Sequence, residues 1–169
     1  MNKDDTTDTC VMGDSEVGAA MTESLTEIVV RLRDSGLGKL PGRTDPAVRS
    51  TAEAFVGHLA EHLDEADALL PAVLDMAPAT AAEIEVIRSD HRLLRGVAHD
   101  LFVGIVSGQP SKACDTARSF LAKLFAHADR EKALMRRLTF LLDERDLRLL
   151  AGMCPSRRES TTDIGGESG

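Results

Sequence analysis

Residues 120–138 read FLAKLFAHADREKALMRRL. Apolar side chains recur in and around this stretch at steps of three and four, the period of one face of an α-helix. The stripe is Ala117, Phe120, Leu124, His127, Glu131, Leu134 and Leu138. A histidine and a glutamate thus hold two central positions on a face that is otherwise apolar. Such a face must be buried against other elements. A buried imidazole or carboxylate left without a partner costs several kcal/mol, so it must be hydrogen-bonded, ion-paired or metal-bound.

The neighbouring segments repeat the pattern. Thr80-Ala-Ala-Glu83 reads as a capping box opening a helix that runs to Val106, before Ser107-Gly108. Its stripe is Ile84, Ile87, His91, Leu94, Ala98, Leu101 and Ile105, again with a histidine near the middle. Gln109-Pro110-Ser111 then starts the helix of the opening stretch, which should reach about residue 142. Upstream, Asp45-Pro46 supplies an N-cap and a first-turn proline for a long helix to about Met76. Pro71 lies inside it and should kink it against the carbonyl of Asp67. On that helix His58, His62 and Glu65 are read as sharing the inward face, with Glu61 at its edge.

The first helix is expected over about 21–35, with Met21, Leu25, Ile28 and Leu32 inward and SGLG stopping it. Glu23 and Glu27 lie opposite that stripe, so this helix offers no inward-facing ligand. A short fifth helix is expected around DERDLRLLAGM, residues 143–153, packed across the end. Helices with one apolar face and short connections pack as antiparallel neighbours. The fold class is all-α: an antiparallel up-down-up-down four-helix bundle with a short C-terminal fifth helix. It should occupy residues 21–153, flanked by a disordered segment at 1–20 and a disordered tail at 154–169, both polar and without periodicity.

Composition agrees with an α-helical interior built from aliphatic residues. The chain has no Trp, no Tyr and five Phe, whereas strands draw most on aromatic and β-branched residues. A net charge of −8 argues against a general nucleic-acid surface. Arg136 and Arg137, and Arg157 and Arg158, read as helix-end and solvent residues. No apolar run of about 18 residues is present to span a membrane, and MNKDDTTDTCVMGDSEVG lacks the apolar segment of a secretory signal. The cytoplasm is the expected compartment. Cys10, Cys114 and Cys154 are odd in number and widely spaced, which fits neither a disulfide framework nor a zinc ribbon. Cys114 reads as an apolar filler, and His99, Asp67, Asp90 and Asp129 as seam or surface residues.

The inward polar inventory is then His58, His62, Glu65, His91, His127 and Glu131, with few inward cations to balance the acids. One bound metal centre would satisfy the whole set. Imidazole nitrogen and carboxylate oxygen without thiolate suit iron, manganese or zinc in a bundle core.

Three stretches also resemble the hemerythrin-like (HHE cation-binding) family. HLAEHLDEADALLPAV, residues 58–73, resembles that family's second helix, with a His-xxx-Glu motif ahead of a Leu-x-Pro ending. IRSDHRLLRGVAHDL, residues 87–101, resembles the third, and FLAKLFAHADREKALMRRL the fourth, with His127-xxx-Glu131. The resemblance implies a non-haem, usually di-iron, centre in the bundle that carries or senses oxygen, or responds to nitric oxide, peroxide or iron supply. It carries over His91 as the third-helix ligand and His127 with Glu131 as the fourth-helix pair, the carboxylate bridging. On the second helix, counting from Pro71 places the motif on Glu61 and Glu65, and counting by histidine places it on His58 and His62. The chain departs from the family pattern in the first helix, which lacks its histidine, and at position 95, where Arg stands one turn after His91.

Three functions compete at this point. One is a binding or sensing protein with one or two iron ions that engages a small diatomic ligand or peroxide, without nucleic acid or membrane. The second is a di-iron enzyme that disproportionates peroxide or oxidises iron. The third is a metal-free helical adaptor for a protein partner. No base, nucleophile or substrate pocket is legible, which favours the first over a dedicated enzyme.

Overall fold

Asp45 begins the first long helix as its spacing predicts: its Oδ1 accepts the backbone N–H of Ala47 at 2.9 Å, and Pro46 stands at the first helical position. The computed structural model describes residues 21–31 and 45–153 of the 169-residue chain. Helix α1 covers 21–31; α2 is Pro46–Met76, α3 Ala81–Val106, α4 Pro110–Leu141 and α5 Glu144–Met153. No strand occurs among the described residues, and the helices pack as a bundle. The expected first-helix end at Ser35 with Leu32, Cys10 and Cys154, Arg157 and Arg158, and the two flanking segments lie outside the described residues.

The connections follow from local chemistry. Helix α3 ends where Gly108 adopts φ 65°, a conformation that favours glycine, and the turn closes with Gly108 N–H donating to Ile105 O and Gln109 N–H to Gly104 O. Asp143 caps α5, its Oδ1 accepting the N–H of Asp146. Helix α2 runs through Pro71 without interruption. The capping box expected at Thr80–Glu83 does not form. A 3-10 turn at Pro78–Thr80 buries Thr80, whose hydroxyl donates back to Ala77 O at 2.7 Å, and Glu83 pairs with Arg137 of α4 instead. Arg137 also donates to Ala79 O, so this arginine ties the end of α4 to the start of α3 rather than pointing only into solvent.

The apolar interior has two parts. One holds Met21, Leu25 and Ile28 of α1 with Phe55, Leu59 and Leu63 of α2, Leu94, Ala98 and Leu101 of α3, and Phe120 and Leu124 of α4. Phe55 and Phe120 meet edge to face there, centroids 5.3 Å apart. The other holds Leu70 and Val73 of α2, Ile84 and Ile87 of α3, and Leu134, Leu138 and Leu142, with Leu147 and Leu150 of α5 packed against it. Between the two, each long helix carries polar side chains where its stripe continues: Asp67 between Leu63 and Leu70, His91 between Ile87 and Leu94, His127 and Glu131 between Leu124 and Leu134. A polar layer therefore crosses the bundle at mid-height.

Candidate metal centre

His91 is fully buried and His127 is 2 % exposed, and their rings meet edge to face at 4.8 Å between centroids. Both point Nε2 towards Oε1 of Glu131, at 3.7 Å from His91 and 3.1 Å from His127. The ligand atoms of the three residues lie within 4.8 Å of one another. A metal bound about 2 Å from each donor needs donor separations near 3 Å, so small side-chain adjustments close this set on one ion.

The polar atoms of the layer are not satisfied by protein alone. Nε2 of His91 and both ring nitrogens of His127 are buried without a hydrogen-bond partner, since the approach of His127 to Glu131 is close but not aligned as a hydrogen bond. Buried orphan nitrogens aimed at a shared carboxylate are what a metal ligand set looks like before the ion is added. With imidazole and carboxylate donors and no thiolate in the cluster, the residues fit iron, manganese or zinc.

Each histidine has a carboxylate behind it. His91 Nδ1 lies 2.6 Å from Asp67 Oδ1, and His127 Nδ1 lies 3.6 Å from Asp90 Oδ2. A carboxylate on Nδ1 leaves the Nε2 lone pair free for a metal and fixes the ring plane. Each carboxylate is in turn held by an arginine: Asp67 Oδ2 accepts from Arg95 Nη2 at 2.9 Å, and Asp90 Oδ2 from Arg130 Nη1 at 2.5 Å. The relay Arg95–Asp67–His91 supports the centre through hydrogen bonds, whereas the Arg130–Asp90 pair stands behind His127 without a hydrogen bond to it.

The electrostatics follow from these distances. Burial disfavours the Glu131 carboxylate, but the imidazoles of His127 and His91, with a further contribution from His62, outweigh it and hold the carboxyl down at about 2. Burial likewise disfavours a charged His91, yet Glu131 and Asp67 together raise its imidazole above the ordinary value. Asp67 is disfavoured by burial too, and hydrogen bonds from His91 and Arg95 lower it below the carboxylate range all the same. Glu131 is therefore an anion at any ordinary pH, ready to receive a cation.

Of the six candidates the structure gathers His91, His127 and Glu131. His62 is half-buried on α2 and close enough to act on Glu131 electrostatically. His58 and Glu65 are exposed, which corrects the shared inward face assigned to them. The buried face of α2 runs through Leu59, Leu63 and Leu70; His58 stands one residue before it and Glu65 two residues past Leu63, both rotated towards solvent. Asp67 and Asp90, expected at the surface, are instead partly buried beside the site histidines, Asp67 hydrogen-bonded to His91. The signal for Asp67 was present, since it lies four residues after Leu63 and three before Leu70, on the stripe itself. Glu23, Glu27, His99 and Asp129 are exposed, as their positions off the stripes predict. Cys114 packs against the core away from the layer, and burial raises its thiol.

A sequence model described as the hemerythrin HHE cation binding domain matches residues 21–138, well over half of the chain and the whole of the polar layer. No curated protein and no solved structure matches the chain.

Proposed function

This chain belongs to the hemerythrin HHE cation-binding domain family, and from that premise we propose that it binds non-haem iron through His91, His127 and Glu131 and uses the bound ion to engage a small ligand. The observation that carries the proposal is the orphaned state of His91 Nε2 and His127 Nε2, both buried and facing the one Glu131 carboxylate. A metal-free adaptor has no use for that arrangement, which raises the cost of folding unless an ion receives the lone pairs.

Three protein donors are fewer than any of the candidate metals takes, so an ion held here keeps at least one position open to exchange. Iron in such a place supplies a binding position for dioxygen, nitric oxide or peroxide. The residues around it decide access. Asp90 and Arg130, with Leu94 and Ala126, wall an open groove between α3 and α4, and Asp90 reaches from that groove to the back of His127. We place the protein among binding or sensing proteins because the acids beside the layer are already engaged, Asp67 by His91 and Arg95 and Asp90 by Arg130.

The test is iron content and the visible spectrum of protein made in iron-replete medium, beside a His127→Ala/Glu131→Ala double variant. Iron with near-ultraviolet charge-transfer bands that shift on adding nitric oxide or peroxide, and that vanish in the double variant, is the expected result. A metal-free wild type with a spectrum identical to the variant's contradicts the proposal.

A further inference from the structure

The polar layer has a fixed positive charge built into its α2 side. Arg95 lies one turn after His91 and sends its guanidinium across to α2, where Nη2 donates to Asp64 Oδ1 at 2.7 Å and to Asp67 Oδ2 at 2.9 Å. Its side chain is two-thirds buried, at 34 % exposure, and a guanidinium does not deprotonate in a protein. Asp67 is thereby fully committed: one oxygen faces His91 and the other faces Arg95.

We infer that Arg95 limits this centre to a single metal ion by standing as a permanent counter-cation on its α2 side. The inference rests on the proposed metal site and specifies its nuclearity. Two independent counts lead to it. The first is of donors. Beyond His91, His127 and Glu131, the nearby carboxylates are taken, Asp67 by His91 and Arg95, and Asp90 by Arg130. His62 alone remains on α2 near Glu131, too few for a second ion that must be held by several protein atoms.

The second count is of charge. Within the layer Asp67 pairs with Arg95 and Asp90 with Arg130; Asp64, the second partner of Arg95, is 74 % exposed and lies outside it, so Glu131 is the layer's one carboxylate without an arginine. One divalent ion leaves the buried layer with a single net positive charge. Two would leave three, beside a guanidinium that cannot move away without breaking two ion pairs. Like charges in a partly desolvated site repel more strongly than in water, which disfavours the second ion.

The experiment is a Co(II) titration of the metal-free full chain, followed by visible absorption and by metal analysis after removal of free ion. Wild type is compared with Arg95→His, which removes the charge, frees Asp67 Oδ2 and adds a donor one turn from His91, and with Arg95→Lys, which keeps the charge. Circular dichroism establishes that each variant is folded. Wild type and Arg95→Lys should saturate at about one equivalent and Arg95→His at about two. Two equivalents in the wild type, both lost in Glu131→Ala, overturn the inference whatever the variants do. A folded Arg95→His that stops at one equivalent overturns the role given to Arg95. Binding of no ion by the wild type is a different outcome, because it removes the proposed site itself.

Discussion

Asp67 shows how much a single carboxylate settles in this protein. It holds His91 by Nδ1 and is itself held by Arg95, so the orientation of the deepest ligand depends on a residue that never has to touch the ion. Asp67→Ala should weaken metal affinity about 10- to 100-fold while leaving the number of ions bound unchanged. Competition of Co(II) against a chelator of known affinity reads this directly, and an unchanged affinity would show that packing alone orients His91.

Glu131 makes a second prediction at the same scale, in the metal-free chain. Its carboxyl is lowered from 4.5 in the unfolded reference to about 2. A depressed carboxyl contributes stability that is fully present above the unfolded value and disappears as pH falls through the folded one. Wild type should therefore lose its advantage over Glu131→Gln between about pH 4.5 and 2, by at most about 3 kcal/mol. His91 runs the other way: raised above 6.5, its contribution is complete below that pH and is lost as pH rises through its folded value. Urea midpoints for wild type and Glu131→Gln across pH 2–5 test the first of these. Curves that stay parallel would mean that the Glu131–histidine contacts carry no net energy.

At the scale of elements, the helices stand where apolar periodicity and capping residues put them. The stripes of α3 and α4 already named His91, His127 and Glu131, because each sits at a step of three or four between residues that are buried. Helix α2 is less legible. Its sequence HLAEHLDEADALL is dense in titratable residues, and the spacing of Leu59, Leu63 and Leu70, not the histidines, marks its inward face. His58 and Glu65 fell outside and Asp67 fell inside for that one reason. Thr80 illustrates a different limit. A capping box is a local pattern, and here a tertiary ion pair between Glu83 and Arg137 and a preceding 3-10 turn outcompete it.

The divided core gives the element-scale prediction. Phe120 is fully buried against Phe55, joining α4 to α2, so Phe120→Ala should cost about 3–5 kcal/mol. Phe140, on the same helix but 89 % exposed, should tolerate Phe140→Ala within about 0.5 kcal/mol. The polar layer should behave oppositely to both. Replacing His91, His127 and Glu131 together with leucine ought to raise the urea midpoint of the metal-free chain, because an apolar layer leaves no buried polar atom unpaired. A lower midpoint would indicate that the layer is better satisfied by protein contacts than its geometry shows.

For the molecule as a whole, two apolar halves meet at a layer of buried histidines and one carboxylate. Helices α1 and α5 close opposite halves, Met21, Leu25 and Ile28 lying in one cluster and the partly buried Leu147 and Leu150 packing against the other, and neither helix supplies a donor to the cluster among the described residues. No described helix is long and apolar enough to cross a membrane. Metal should act as a stabilising ligand for this fold. At a free concentration 100-fold above the dissociation constant it adds about 2.7 kcal/mol, which raises Tm by roughly 5–10 °C. Differential scanning fluorimetry with Fe(II), Zn(II) or Co(II), reversed by a chelator, measures the shift. The His127→Ala/Glu131→Ala variant should not respond.

The most direct measurement is a crystal structure of metal-loaded protein with anomalous scattering collected at the absorption edge of the bound ion. One anomalous peak per chain is expected, about 2 Å from Nε2 of His91, Nε2 of His127 and a carboxylate oxygen of Glu131, with Asp67 still bridging His91 and Arg95. A peak elsewhere, or none within reach of those three atoms, would contradict it.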